Sequence, residues 1–211
     1  LDDNTPSMVN DILRLVRIRS ISDASQGFNG APYGQECLDA LNTVMDYCNK
    51  LGLPTVNHEG YCATAVLKGN LNDEIGIFSH LDIVPAGNGW SFDPFDPFVR
   101  DGFIFGRGTL DNKGAVVTTI YTVKCLLDLG YHLDHSILLF FGCNEEKGME
   151  DVKYYLSKNK APIFSFTADS DFPLANAEYG IYRAVLRKNI GDSNLEDLYA
   201  GEAENMVPDK A

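Results

Sequence analysis

Ile75-Gly76-Ile77-Phe78-Ser79-His80-Leu81-Asp82 is the stretch that decides the fold. An apolar run this short, preceded by Gly69, Asn70 and Asn72 and closed by polar residues, reads as a strand buried on both faces. In an extended chain residues i and i+2 point to the same side, so His80 and Asp82 become neighbours at the strand tip. A buried strand that ends on a histidine and an acid invites a search for others like it.

Residues 63–67 and 137–141 are two further strand-like runs, and 163–167 and 182–186 are two more. Between them lie helical patterns. Residues 8–18 place Val9, Ile12, Leu13 and Val16 on one stripe after a Thr5-Pro6-Ser7 start, where proline suits a first helical turn. Residues 35–51 place Cys37, Leu38, Leu41, Val44, Met45 and Cys48 on another, with Gly52 as the stop. Residues 114–129 and 149–157 complete the set, and 85–101 form a turn-rich insert. Strands alternating with helices predict an α/β domain, a three-layer sandwich with a mixed central sheet and its ligands at the carboxyl edge.

The chain has 211 residues, enough for one large domain or one domain with part of a second. Its 17 basic and 30 acidic residues leave a formal charge of −13, which gives no basic surface for nucleic acid or anionic lipid. No apolar run approaches the roughly 18–20 residues that span a bilayer. Cys37, Cys48, Cys62, Cys125 and Cys143 are odd in number, widely spaced and without a CxxC pair. That usage predicts reduced, buried thiols in a reducing compartment, and so a cytoplasmic protein.

Ligand-type residues recur where the buried strands end. Asp111 lies in Gly106-Arg107-Gly108-Thr109-Leu110-Asp111-Asn112-Lys113-Gly114, directly before a helix. The run 137–141 leads into Gly142-Cys143-Asn144-Glu145-Glu146, and 163–167 leads into Ala168-Asp169. Taken singly, a histidine after a strand can be a hydrogen-bonded structural residue, an aspartate before a helix an N-cap, and a Glu-Glu pair a solvated one. Taken together they crowd like charges at one edge, which is costly unless a cation neutralises them. Imidazole with carboxylates is a ligand set that suits Zn²⁺. Gly106-x-Gly108 lacks the third glycine of a dinucleotide loop.

Four motifs, His80-Leu81-Asp82-Ile83-Val84-Pro85, the Gly106–Gly114 segment, Asn144-Glu145-Glu146-Lys147-Gly148-Met149 and Asp169-Ser170-Asp171-Phe172-Pro173, resemble in order and spacing the di-zinc M20 family of aminoacylases, carboxypeptidases and dipeptidases. The segment Pro85-Ala86-Gly87-Asn88-Gly89-Trp90-Ser91-Phe92-Asp93-Pro94-Phe95 is most similar to the PepV-type bacterial dipeptidase branch. The resemblance implies that His80 and Asp169 bind one zinc, that Asp111 bridges two, and that Glu146 binds the second. Mn²⁺ or Co²⁺ are alternatives to zinc. It also implies that Asp82 orients the His80 imidazole and that Glu145 is the general base and acid. The implied reaction is hydrolysis of dipeptides with a free amino terminus. Alternatives are an N-acyl-amino-acid amidohydrolase or carboxypeptidase of the same family, or a non-catalytic metal- or substrate-binding module.

Two further expectations follow from the family pattern. The Asp111–Asn112 bond should be cis, with Gly114 easing the approach of the next helix to the sheet. The family's ligand set is also completed by a histidine near the end of a chain about twice this long, and its lid domain adds substrate-binding groups. Neither is found here, so the expected organisation is a catalytic domain over residues 1–190, incomplete at its C-terminal side, and a boundary leading into a lid over 191–211. Such a piece alone is expected to be inactive. His58, His132 and His135 match no family ligand and are expected to be structural or solvent-facing.

Overall fold

A computed structural model of the chain describes residues 2–170 and Ala175. Helix α1 (Thr5–Val16) has Pro6 in its first turn, and α2 (Gln35–Lys50) is terminated by Leu51 and by Gly52 at φ +83°. That left-handed position is one that glycine adopts without steric cost. The strands are β1 (Thr55–His58), β2 (Cys62–Leu67), β3 (Glu74–His80), β4 (Phe98–Arg100), β5 (Phe103–Phe105), β6 (Ser136–Gly142) and β7 (Phe164–Thr167). Helices α3 (Lys113–Asp128) and α4 (Glu150–Lys158) flank β6 in sequence.

The central sheet has the order β1-β2-β6-β3-β7. β3 runs parallel to both β6 and β7, whereas β2 pairs antiparallel with β1 and β6, so the sheet is mixed. Alternate residues of one strand feed different layers. Ala63, Ala65, Leu139 and Phe141 join the large core under α1, α2 and α3, while Cys62, Leu138 and Phe140 join a smaller one with Tyr155 of α4. Two apolar layers on opposite faces are what a continuous hydrophobic strand requires, and the predicted three-layer α/β architecture is what they build.

Several local expectations shift. β1 was not anticipated, because Thr-Val-Asn-His is a half-exposed edge strand with no apolar run. The insert contains the β4–β5 hairpin, whose Phe98 and Phe105 stack and meet Phe92, which in turn meets Trp90. On α1 the buried residues are Ile12, Leu15 and Val16, so the stripe is rotated from the one predicted. Gly114 gives close approach to the Thr109 carbonyl of its own preceding loop rather than to the sheet. The five thiols are free, four of them buried and Cys125 half-buried. The predicted strand at 182–186 and the boundary and lid segment at 191–211 lie outside the described residues. Among the described residues no helix is long and apolar enough to cross a membrane.

Candidate metal centre

The parallel strands β3, β6 and β7 end at one edge, with His80 opposite Gly142 and Phe78 opposite Thr167. Chain leaving those ends delivers His80 and Asp82, then Glu145 and Glu146 in a short 3₁₀ turn, then Asp169. Asp111 arrives at the same edge just before α3, and its peptide bond to Asn112 is cis.

His80 is the hub. Its buried ring has Nε2 3.0 Å from Asp111 Oδ1, 3.2 Å from Asp169 Oδ2 and 3.9 Å from Glu145 Oε2. One ligand atom from each of His80, Asp111 and Asp169 lies within 4.8 Å of the other two. Glu146 stands outside that trio, although Asp111 and His80 act on its carboxyl electrostatically. The side chains of Asp111 and Asp169 are 59% and 27% exposed, so the buried imidazole faces an open, acid-lined mouth.

Asp82 has no exposed surface and works in two directions. His80 Nδ1 lies 2.9 Å from the Asp82 main-chain oxygen and 3.5 Å from its carboxylate, so the main-chain oxygen is the nearer orienting group. The carboxylate itself accepts the backbone N–H of Glu145 on one oxygen and of Glu146 on the other, both at 3.1 Å. Asp82 thus ties the β3 tip to the turn that carries both glutamates. A second acid missed by sequence reading, Asp151, does the same from α4. Its Oδ2 accepts the N–H of Cys143 at 2.7 Å and of Asn144 at 2.9 Å, and its Oδ1 accepts that of Val152 at 2.8 Å. An acid in a first helical turn ordinarily reads as solvated; only the bare Gly142 beside it, whose missing Cβ makes room for the carboxylate, hints otherwise.

Titration directions follow from this crowding. Burial opposes charge on His80, but the carboxylates of Asp169 and Asp82 outweigh it and push the pKa up to about 11. The hydrogen bond to His80 in turn lowers that of Asp169. Burial raises the carboxyls of Glu145 and Glu146, with nearby aspartates adding to the shift. Burial likewise raises Asp151 against the pull of its amides, and drives Lys113 down to about 8. Three carboxylates within 3.9 Å of one buried imidazole nitrogen crowd negative charge at a single point, which a cation would relieve. A proton relieves it in part; a divalent ion, bound by neutral imidazole and carboxylates, relieves it better. The donor set therefore fits Zn²⁺.

Of the other histidines, His58 bonds Thr64 at 2.9 Å and packs edge-on to Tyr155, His132 is exposed, and His135 is half-buried.

The fold is that of peptidase catalytic domains. Human carnosine dipeptidase 1 superposes over 80% of this chain and 39% of its own, with a TM-score of 0.65 and 24% identity. An M20 family metallo-carboxypeptidase from Sulfolobus solfataricus superposes over 76% of this chain and 36% of its own, with a TM-score of 0.61 and 22% identity. Residues 76–186 match the peptidase family M20/M25/M40, and the chain belongs to that family. Among its relatives, "Putative dipeptidase YtjP" of Bacillus subtilis is 33% identical over 210 residues, 97% of this chain and 45% of that protein. A Staphylococcus aureus relative with the same dipeptidase description, SAB1611c, is 32% identical over 97% of this chain and 45% of its own length. The chain thus spans under half the length of these curated relatives.

Proposed function

We propose that the protein of which this chain is the catalytic part hydrolyses dipeptides with a free amino terminus at a two-metal centre. The observation that carries the reading is the convergence of Asp111, Asp169 and Glu145 on Nε2 of one buried histidine. His80 and Asp169 would hold one ion, Asp111 would bridge, and Glu146 would hold the other, with zinc the first choice and Mn²⁺ or Co²⁺ able to replace it. Such ions, when bound, polarise the scissile carbonyl and acidify a water.

The remaining steps belong to side chains. Glu145 takes the proton of the attacking water and passes it to the leaving amine, and burial, which raises its carboxyl above the ordinary glutamate value, makes it the stronger base for that exchange. Asp82 keeps the His80 ring and the Glu145 backbone in fixed relation while the proton moves. The open mouth lined by Asp111, Asp169 and Glu145 favours a substrate bearing an α-ammonium. A late histidine and a lid domain, called for by the family pattern, would complete the ligand set and enclose the substrate; relatives more than twice as long have room for both. The buried free thiols support a reducing, cytoplasmic setting.

The test is amino-acid release from a dipeptide panel by the protein in its full natural length, with and without chelator. Chelator-sensitive cleavage of free dipeptides over their N-acetyl forms is expected. Preference for N-acylated substrates would assign the chain to the amidohydrolase or carboxypeptidase members instead, and metal binding without turnover would make it a binding module.

A further inference from the structure

Residues 18–22 run between α1 and the rest of the domain without a helix or strand of their own. A segment of that kind usually serves as a connection, yet here it meets each of three site-bearing loops through hydrogen bonds. Ser20, fully buried, donates its hydroxyl to the carbonyl of Leu81 at 2.6 Å, and its own carbonyl accepts the N–H of Ile83 at 3.1 Å. Leu81 lies between His80 and Asp82. Ser22 accepts the side-chain amide of Asn144 at 2.8 Å, and Asn144 precedes Glu145. Asn144 also takes the N–H of Glu150 on its side-chain oxygen and that of Met149 on its carbonyl, so it closes the turn that holds both glutamates. The Lys113 ammonium, with no exposed surface, reaches back to the carbonyl of Ile18 at 2.6 Å, and Lys113 follows Asp111 by two residues.

We infer that residues 18–22 are a positioning strap, acting through the Ile18 carbonyl that Lys113 reaches and through Ser20 and Ser22, that sets the spacing of His80, Asp111 and the Glu145–Glu146 turn for metal binding. The inference rests on the metal-centre reading above. A strap that only filled space would contact these loops through apolar groups. Instead it spends buried polar groups, each costly to desolvate unless paired, within two residues of a proposed ligand or of the proposed base. Asp169, on the edge strand's exit, has no contact of this kind with the strap among those described. The strap therefore governs one side of the centre.

The test uses the protein in its full natural length, stripped by chelator and titrated with Co²⁺, whose absorption reports ligand geometry. Ser22→Ala is expected to weaken Co²⁺ binding about 10-fold or more, the scale seen when groups supporting metal ligands are removed. It should also shift the visible bands; the Asn144 amide left unpaired lowers the metal-free melting temperature as well, a loss that the core control is there to match, and Ser22→Thr should restore affinity, bands and stability. Ser20→Ala should act in the same direction. Ile12→Val, an apolar core change on α1 that removes no polar contact, serves as the control for simple loss of stability. Unchanged affinity and spectrum in both serine variants would overturn the inference, as would an equal affinity loss in Ile12→Val. A wild-type protein that takes up no Co²⁺ would overturn it together with the metal reading. Wild-type protein that binds Co²⁺ but cleaves no dipeptide would sink only the peptidase assignment, because the titration does not depend on turnover.

Discussion

At the level of single residues, the proposed division of labour falls on two adjacent glutamates. Glu145 lies 3.9 Å from His80 Nε2, and Glu146 stands outside the His80–Asp111–Asp169 trio. Glu145→Ala is expected to lower turnover about 100- to 10,000-fold, the usual weight of a general acid–base, with metal content largely kept. Asp111→Ala should lose metal, since its carboxylate is 3.0 Å from the imidazole and is the proposed bridge. Elemental analysis beside kinetics checks both, and equal metal loss in the two variants would contradict the split. Asp82→Asn probes the tie between strand tip and turn. Two backbone N–H groups need two acceptor oxygens, and an amide offers one. A fall of about 10- to 100-fold in zinc affinity or turnover is expected; competition titration at wild-type values would rule the tie out. His80, Asp82, Glu145, Glu146 and Asp169 were visible in the sequence as polar residues where strands end, and Asp111 as an acid just before a helix. The partners that hold them, Asp151 and Ser22 among them, were not, because a buried acid or serine looks like any other until its neighbours in space are known.

At the level of elements, the legible strands were the apolar runs, most of them well covered, although β7 was read from its run 163–167 while its own residues are exposed. β2, β3 and β6 announce themselves as apolar runs because both sides need cover, while β1 and the three-residue strands of the insert leave no such trace. The α1 stripe came out rotated for a related reason: Val9, Ile12, Leu13, Leu15 and Val16 offer two overlapping apolar faces, and packing against α3 chooses between them. The joint between β6 and α4 is where an element's end determines chemistry. Gly142 has no Cβ where the Asp151 carboxylate sits, and that carboxylate anchors the amides of Cys143 and Asn144. Gly142→Ala should drive Asp151 off those amides. Leaving buried N–H groups unpaired costs about 1–3 kcal/mol, so a drop of that size in denaturant unfolding is expected, together with weaker metal binding. A variant of wild-type stability and affinity would show that the joint tolerates displacement.

For the molecule as a whole, the metal-free centre makes stability depend on pH with a definite sign. The His80 pKa is raised from 6.5 to about 11 on folding, so its contribution is fully present below pH 6.5 and is lost as pH rises toward 11. Glu145 and Glu146 are also raised, and their contributions fade as pH climbs above 4.5. Asp169 is lowered, and its contribution fades only as pH falls below 3.8. The overall charge of −13 adds self-repulsion in the same sense as the glutamates and His80. With chelator present, unfolding midpoints should therefore decline steadily between pH 6 and 9. A divalent ion must displace the His80 proton to bind, so its affinity, and the stability it confers through mass action, should grow over the same range. The two curves, measured by denaturant unfolding with chelator and with Co²⁺, should diverge as pH rises. If chelated protein instead gained stability toward pH 9, or the Co²⁺ increment stayed flat, the charged imidazole could not be the group that the metal replaces, and His80 would have to be removed from the ligand set.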